Sequence, residues 1–185
     1  MSTQGMNAPT SDGYRSDWAT PQPLVDSVAH MLGCEWFDMD VCALDATKKA
    51  PSYYGPDHIE PVSRDALKRP WYGVCWCNPP FPSPVASQFV RKALEEADEN
   101  VMTAILLPVT KLEQPFAIEL LQHRHLAAMI YIEGRIAFEA DGKPVGGNRC
   151  GSMIWIIQRR PVPAAPAIGV IKRFDGCYVP RWIRG

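Results

Sequence analysis

Apolar positions along the chain alternate between two rhythms, and the alternation predicts an architecture. In residues 22–32, Leu24, Val25, Val28, Ala29 and Leu32 recur at spacings of three and four, the period of a helix with one buried face. Thr20 stands at the expected N-cap, Pro21 at the first helical position, and Gly33 supplies a stop. Residues 35–43, with Trp36, Phe37, Met39, Val41 and Cys42, read as a strand that delivers Asp38 and Asp40 near its carboxyl end. Residues 48–61 are rich in Pro, Gly, Tyr and Asp and read as an irregular loop. Residues 71–77 form a second apolar strand, which stops at Asn78 because two successive prolines cannot continue a ladder.

Helical spacing returns in residues 85–97, where Val85, Phe89, Val90, Ala93, Leu94 and Ala97 share one stripe. Residues 101–108 are almost continuously apolar, as expected of a strand covered on both faces. A helix over 112–122, a strand over 126–133, an extended hairpin or loop over 134–151 and a closing strand over 152–158 complete the pattern. Strands alternating with helices predict an α/β fold with helices on both faces of the sheet. In such folds ligands bind beyond the carboxyl ends of strands, where Asp40 and Asn78 fall.

A length of 185 residues suits one hydrophobic core, hence a single domain over residues 17–160. Residues 1–16 are polar and are expected to form a flexible arm. Residues 161–185 are expected to form a proline-containing connector and a basic C-terminal segment. No apolar run is long enough to span a bilayer and the first residues lack a secretion pattern, so a cytoplasmic protein with no membrane association is expected, as a monomer.

The net charge of −1 does not itself indicate a polyanionic partner, but Arg159, Arg160, Lys172, Arg173, Arg181 and Arg184 face only Asp175 in the last stretch of chain. That segment reads either as a surface for phosphates or as ordinary solvated charge. The six cysteines show no CxxC pair and no zinc-like spacing to histidine, so they read as reduced core thiols with no metal.

The chemistry concentrates in Asn78-Pro79-Pro80-Phe81. An amine conjugated to an aromatic ring or a carbonyl is a poor nucleophile, and it becomes a better one when acceptors take both its N–H groups and draw it toward a tetrahedral shape. Asn78 offers a side-chain carbonyl, and the proline turn offers a backbone carbonyl with no competing donor. Phe81 offers a flat apolar face for a flipped base. Such a reaction needs no general base when the methyl donor is already activated, since orientation and charge placement dominate.

The segments Asp17-Trp18-Ala19-Thr20-Pro21, Phe37-Asp38-Met39-Asp40-Val41-Cys42-Ala43, Asp65-Ala66-Leu67, Trp71-Tyr72-Gly73, Trp76 to Phe81, Leu106-Leu107-Pro108, Gly134 to Phe138 and Gly151-Ser152 occur in an order that resembles the bacteriophage Dam-type DNA N6-adenine methyltransferases. The resemblance implies a Rossmann-like sheet that binds S-adenosylmethionine across its strand ends, DNA as substrate, and Asn78, Pro79, Pro80 and Phe81 as the catalytic loop. It further implies cofactor contacts from Trp18, Thr20, Pro21, Asp40, Val41, Cys42 and Asp65. As a strand-end carboxylate, Asp40 is itself expected to face solvent. Thr20 and Asp65 retain rival readings as caps. Arg135, Lys172 and Arg173 are the candidate DNA contacts, and Phe138 reads more simply as a core residue.

Two departures from the family pattern stand out: the Gly-x-Gly turn common after the first methyltransferase strand is replaced by Asp40-Val41-Cys42-Ala43, and Phe81 stands where Tyr is frequent. Methyl transfer to RNA or to a protein glutamine uses the same kind of loop, and a non-catalytic DNA-binding or anti-restriction protein is the rival from a different class.

Overall fold

The computed structural model describes residues 18–81, 84–140, 142–145, 148, 150–159, 165–174 and 177–183. The expected N-terminal arm therefore lies outside the described residues. Helix α1 (Gln22–Met31) forms on the stripe that the sequence sets out. Gly33, at φ +75°, ends it in the left-handed conformation, and Cys34 N donates back to the Ala29 carbonyl. Its start differs from expectation. Pro21 is the N-cap and no side chain caps the helix, so Thr20 is not a cap.

Ten strands follow in chain order: β1 (Met39–Asp40), β2 (Ser52–Tyr53), β3 (Val74–Cys77), β4 (Met102–Pro108), β5 (Leu126–Ile132), β6 (Glu139–Ala140), β7 (Lys143–Pro144), β8 (Ser152–Ile157), β9 (Ala167–Phe174) and β10 (Cys177–Ile183). Strands β6 and β7 make a small hairpin, and the other eight form one sheet in the order β10-β9-β5-β8-β4-β3-β1-β2. β1 is parallel to β2 and β3, and β3 to β4. β8 lies antiparallel between β4 and β5. β9 is parallel to β5, with β10 antiparallel at the edge.

The sheet is buried on two faces, as the apolar runs require. Cys75, Cys77, Ile105, Leu107, Met153, Trp155 and Ile157 pack beneath α2 (Val85–Asp98) and α3 (Pro115–Gln122). Trp76, Ala104, Leu106, Ile130, Ile154 and Ile156 pack with α1 on the other face. Asn100, at φ 66°, closes α2 in the left-handed region that asparagine tolerates. α3 starts later than its apolar pattern, at Pro115, because a 3-10 turn over Val109–Lys111 intervenes and proline fits the first helical turn.

Three expectations are corrected. The strand over 35–43 shrinks to Met39–Asp40, because the chain bends around the Asp40 carboxylate just beyond it. The loop over 48–61 contributes the short parallel strand β2. Most consequentially, residues 167–174 and 177–183 are not a tail outside the domain. They are strands β9 and β10 of the same sheet, and Ile171 is fully buried against it. Cys177 is correspondingly exposed rather than a core thiol.

Close packing after β1 and β2 requires glycine at position 55. A side-chain carbon on Gly55 would lie 1.8 Å from the Ala43 carbonyl oxygen, a backbone atom that the Ala43 N–Tyr54 O bond holds in place. Gly55→Ala is expected to lower unfolding stability by about 2 kcal/mol or more through forced backbone movement. Urea denaturation measures it, and an unchanged midpoint would show that this contact yields freely.

Candidate active site

Strand order alone singles out one crevice. From β1 the chain moves to β2 on one side, and from β3 it crosses through α2 to β4 on the other, so the connections diverge between β1 and β3. A ligand cleft opens at such a switch point, outside the carboxyl ends of the strands. Asp40 ends β1 and Asn78 follows β3, and the two strands are neighbours, with Asp40 in register with Trp76.

The Asn78 amide is oriented by one contact. Its Nδ2 donates to the Trp18 carbonyl at 3.4 Å. Only the nitrogen can donate to a carbonyl, so the bond fixes which way the amide faces. Its Oδ1 is buried and has no hydrogen-bond partner. A buried acceptor without a partner forfeits its hydration, at a cost of about 1–3 kcal/mol. Such an atom is expected where a ligand supplies the missing donor.

Trp18 is itself held from two sides. Its ring stacks on Phe138 with centroids 5.7 Å apart and planes 28° apart. Ala19 and Glu139 exchange both backbone bonds, at 2.8 and 2.9 Å. The segment before α1, the hairpin β6-β7 and the strand end at Asn78 therefore form one clasp. Thr20, next in line, is 1% exposed and its Oγ1 has no partner, which frees it from the capping role for a ligand contact. Nothing in the sequence signals the Ala19–Glu139 pairing or the Trp18–Phe138 stack, because both join positions far apart in the chain. Phe138 is buried, in keeping with its expected place in the core.

The expectation that the Asp40 carboxylate faces solvent is overturned. The residue is 2% exposed. Oδ1 accepts from Cys42 N at 3.2 Å and Oδ2 from Lys49 N at 3.0 Å, so both oxygens fold the chain after β1 into a turn. Burial pushes the carboxyl up to about 6, against the opposing pull of those two N–H groups and the Lys49 charge. Val41 is fully buried, and burial, with the Asp40 charge, raises Cys42. Burial likewise drives Cys75 up to about 12, so these thiols stay protonated.

Asp65 has partners of its own. Its Oδ1 accepts from Leu67 N at 3.2 Å, its Oδ2 pairs with Lys68 Nζ at 2.9 Å, and the Lys68 contact holds its pKa below the usual value. The first contact is the cap that the rival reading expects, and the second is an ion pair within the same turn. Pro79 and Phe81 are buried and Pro80 half-buried, with Phe81 packed in the α1-side cluster. No group of His, Cys, Asp or Glu suited to a metal occurs among the described residues.

The three basic candidates reach the same edge of the sheet. Arg135 is exposed just beyond β5, while Lys172 and Arg173 lie near the end of β9, which runs parallel to β5. Lys172 and Arg173 are consecutive in a strand, so they project from opposite faces and do not form one patch. Lys172 lies 3.5 Å from Glu133, both largely exposed.

Comparison with known proteins matches residues 7–173 to the family model described as DNA N-6-adenine-methyltransferase (Dam). A protein named DNA N-6-adenine-methyltransferase from Escherichia phage T1 is 29% identical over 175 residues, covering 84% of this chain and 67% of the relative. One of the same name from Haemophilus phage HP1 (strain HP1c1) is 28% identical over 91 residues, covering 49% of this chain and 47% of the relative. The chain thus spans about two thirds of the first relative and about half of the second. A modification subunit of a putative type I restriction enzyme from Vibrio vulnificus YJ016 superposes with a TM-score of 0.47 at 14% identity, covering 84% of this chain and 46% of that one.

Asp40 gives a pH signature. Its folded-state pKa of about 6 stands above the ordinary 3.8, so the folded protein holds this proton more tightly than the unfolded chain does. The resulting stability is fully present below about pH 4, is lost as pH rises through about 6, and amounts to about 3 kcal/mol. Unfolding free energies of the parent and of Asp40→Asn, measured from pH 4 to 7, should therefore differ by an amount that falls across this window. Parallel profiles would show that Asp40 titrates normally.

Proposed function

We propose, because the chain belongs to the DNA N-6-adenine-methyltransferase (Dam) family, that it transfers a methyl group from S-adenosylmethionine to the N6 amine of adenine in DNA. The observation that carries this reading is the Asn78 amide, turned by the Trp18 carbonyl so that a buried, unpartnered Oδ1 remains. That atom suits an N–H of an incoming amine. The same oxygen repels an acceptor in that place, so it selects for a donor rather than for a particular ring.

The residues at the switch point suit the cofactor. Thr20 Oγ1 is a buried hydroxyl without a partner, beside the Trp18 carbonyl that holds Asn78. Thr20 with Trp18 and Pro21 would hold one end of S-adenosylmethionine, and the Asp40-Val41-Cys42 turn would line the crevice with its backbone. Asp40 acts there as a positioning residue, since both its oxygens are engaged. Asp65 would contribute to the adenosine side only by giving up its cap. When bound, the cofactor supplies a sulfonium methyl, an electrophile that needs no further activation.

Asn78 accepts one N6–H, and the backbone carbonyl at the Pro79 turn accepts the other. The amine nitrogen is thereby drawn toward the tetrahedral form with its lone pair facing the donor. The carbonyl dipoles stabilise the positive charge that arrives on nitrogen as the methyl–sulfur bond breaks, its electron pair staying on the thioether. The surplus N6 proton is lost to water as the product leaves. Pro79 and Phe81, both buried, flank this point. Phe81 offers its ring to a base flipped from the duplex, which offsets part of the lost stacking. The DNA backbone lies along the carboxyl edge, met by Arg135 and by whichever of Lys172 and Arg173 projects from the face that the duplex covers. The exposed Lys172–Glu133 pair contributes only about 0–1 kcal/mol and is readily exchanged for a phosphate. The site of action is the cytoplasm of a host cell.

Asn78→Ala is expected to raise the barrier by about 2–4 kcal/mol in single-turnover methylation of adenine-containing DNA, with cofactor affinity and melting temperature little changed. Asn78→Asp retains an acceptor but sets an oxygen against the Trp18 carbonyl, so its rate should fall between those of the parent and Asn78→Ala. A near-parental rate for Asn78→Ala would remove the residue from the mechanism. Methylation of tRNA or total protein in preference to duplex DNA would replace the substrate.

Lys172→Ala and Arg173→Ala, made separately, should differ. The one facing the duplex should flatten the dependence of binding on log salt by a slope of about 1 and weaken all sequences alike. Unchanged slopes in both variants would take β9 off the DNA path.

A further inference from the structure

We infer that Ser152 is a specificity residue: its hydroxyl donates to the ring nitrogen of the target adenine that lies opposite the amine, N3, while Asn78 holds the amine. Ser152 is 2% exposed and its Oγ has no hydrogen-bond partner. Thr103 and His125 also carry buried atoms without partners, but Thr103 is near the start of β4 and His125 precedes β5, so both belong to the opposite edge of the sheet. Ser152 begins β8, which runs antiparallel to β4, and is paired with Pro108 at the carboxyl end of that strand. It therefore belongs to the same edge as Asn78.

It also belongs to the same face. Along β8, Met153, Trp155 and Ile157 pack beneath α2 and α3, while Ile154 and Ile156 pack with α1. Ser152 falls on the α1 side by alternation. Along β3, Trp76 packs on the α1 side, so Asn78 alternates to that side too, where its amide meets Trp18.

The separation fits a six-membered ring with an amine at one end and an acceptor at the other. Cys77 is in register with Ile105, so Asn78 stands level with Leu106, two residues short of Pro108 along the chain and two strands from β8. Strand spacings of about 4.8 Å and a rise of about 3.3 Å per residue put the two backbone positions about 12 Å apart, a span that the two side chains can shorten. A purine held edge to edge, with a hydrogen bond of roughly 3 Å at each end, spans the distance that remains. Cytosine is as wide across its ring, but the atom opposite its amine is the glycosidic nitrogen, which has no free lone pair to accept a hydrogen bond. A buried serine that loses its hydration regains a partner only when a base with an acceptor on its far edge is seated.

This assignment rests on the proposed adenine methylation, and the test separates the two. Steady-state and single-turnover methylation would be measured for the parent, Ser152→Ala and Ser152→Thr, on DNA with adenine or 3-deazaadenine at the target, alongside calorimetric titration of S-adenosylmethionine. Ser152→Ala should raise KM for adenine DNA by roughly threefold to tenfold, the equivalent of one hydrogen bond, with cofactor affinity unchanged and Ser152→Thr largely restored. 3-Deazaadenine should weaken the parent to the same degree and leave Ser152→Ala no worse. Equal discrimination against 3-deazaadenine by parent and Ser152→Ala overturns the assignment while leaving adenine methylation standing. Loss of cofactor affinity in Ser152→Ala overturns it in favour of a cofactor contact. A parent that leaves adenine DNA unmethylated overturns the proposed function and this assignment together.

Discussion

One buried carboxylate organises the site. Asp40 lies in a two-residue strand flanked on both sides, and its side chain is almost wholly removed from water. An isolated anion there would cost several kcal/mol, so each oxygen must find a donor, and the donors within reach are the N–H groups of Cys42 and Lys49. The chain after β1 consequently folds back on itself, and the Asp40 carbonyl accepts from Tyr54 N to bring β2 alongside. The turn beside the crevice is thus shaped without a Gly-x-Gly sequence. Close packing beside this turn demands a glycine at position 55, against the Ala43 carbonyl.

A second constraint sets the reacting amide. Asparagine has both a donor and an acceptor, and a site that must hold an amine needs the acceptor outward. The Trp18 carbonyl takes the donor, and Trp18 is in turn fixed by its stack on Phe138 and by the bridge between Ala19 and Glu139. The orientation of one side chain therefore depends on three segments widely separated in sequence. Preorganisation of this kind lowers a barrier because the dipoles need not turn as charge develops. It also leaves polar atoms of Thr20, Asn78 and Ser152 buried without partners, a cost that the folded protein bears before any ligand arrives.

The width of the sheet connects this site to its surroundings. β9 extends the parallel set beyond β5, so basic residues near the end of the chain arrive at the edge where Asn78 stands. Strand alternation then divides them, since Lys172 and Arg173 cannot serve one face. Charge counted along the sequence is therefore a poor guide to the patch a polyanion would meet.

Local rules determined much of this protein. Helical stripes gave α1 and α2, continuous apolar runs gave the buried strands β4 and β8, and the two prolines after Asn78 ended β3 where the chemistry begins. These features are legible because each is decided within a few residues, by periodicity or by a missing N–H. The same rules misjudged residues 167–174 and 177–183, where scattered charges and a proline concealed β9 and β10, whose strand character depends on pairing with β5 and with each other. They made Thr20 a helix cap and left Asp40 facing solvent, because a hydroxyl or carboxylate has the same local signature whether it meets water or the interior. Only the packed sheet decided those cases. Burial, and the search for partners that burial forces on a polar group, are set by residues that the sequence holds far apart.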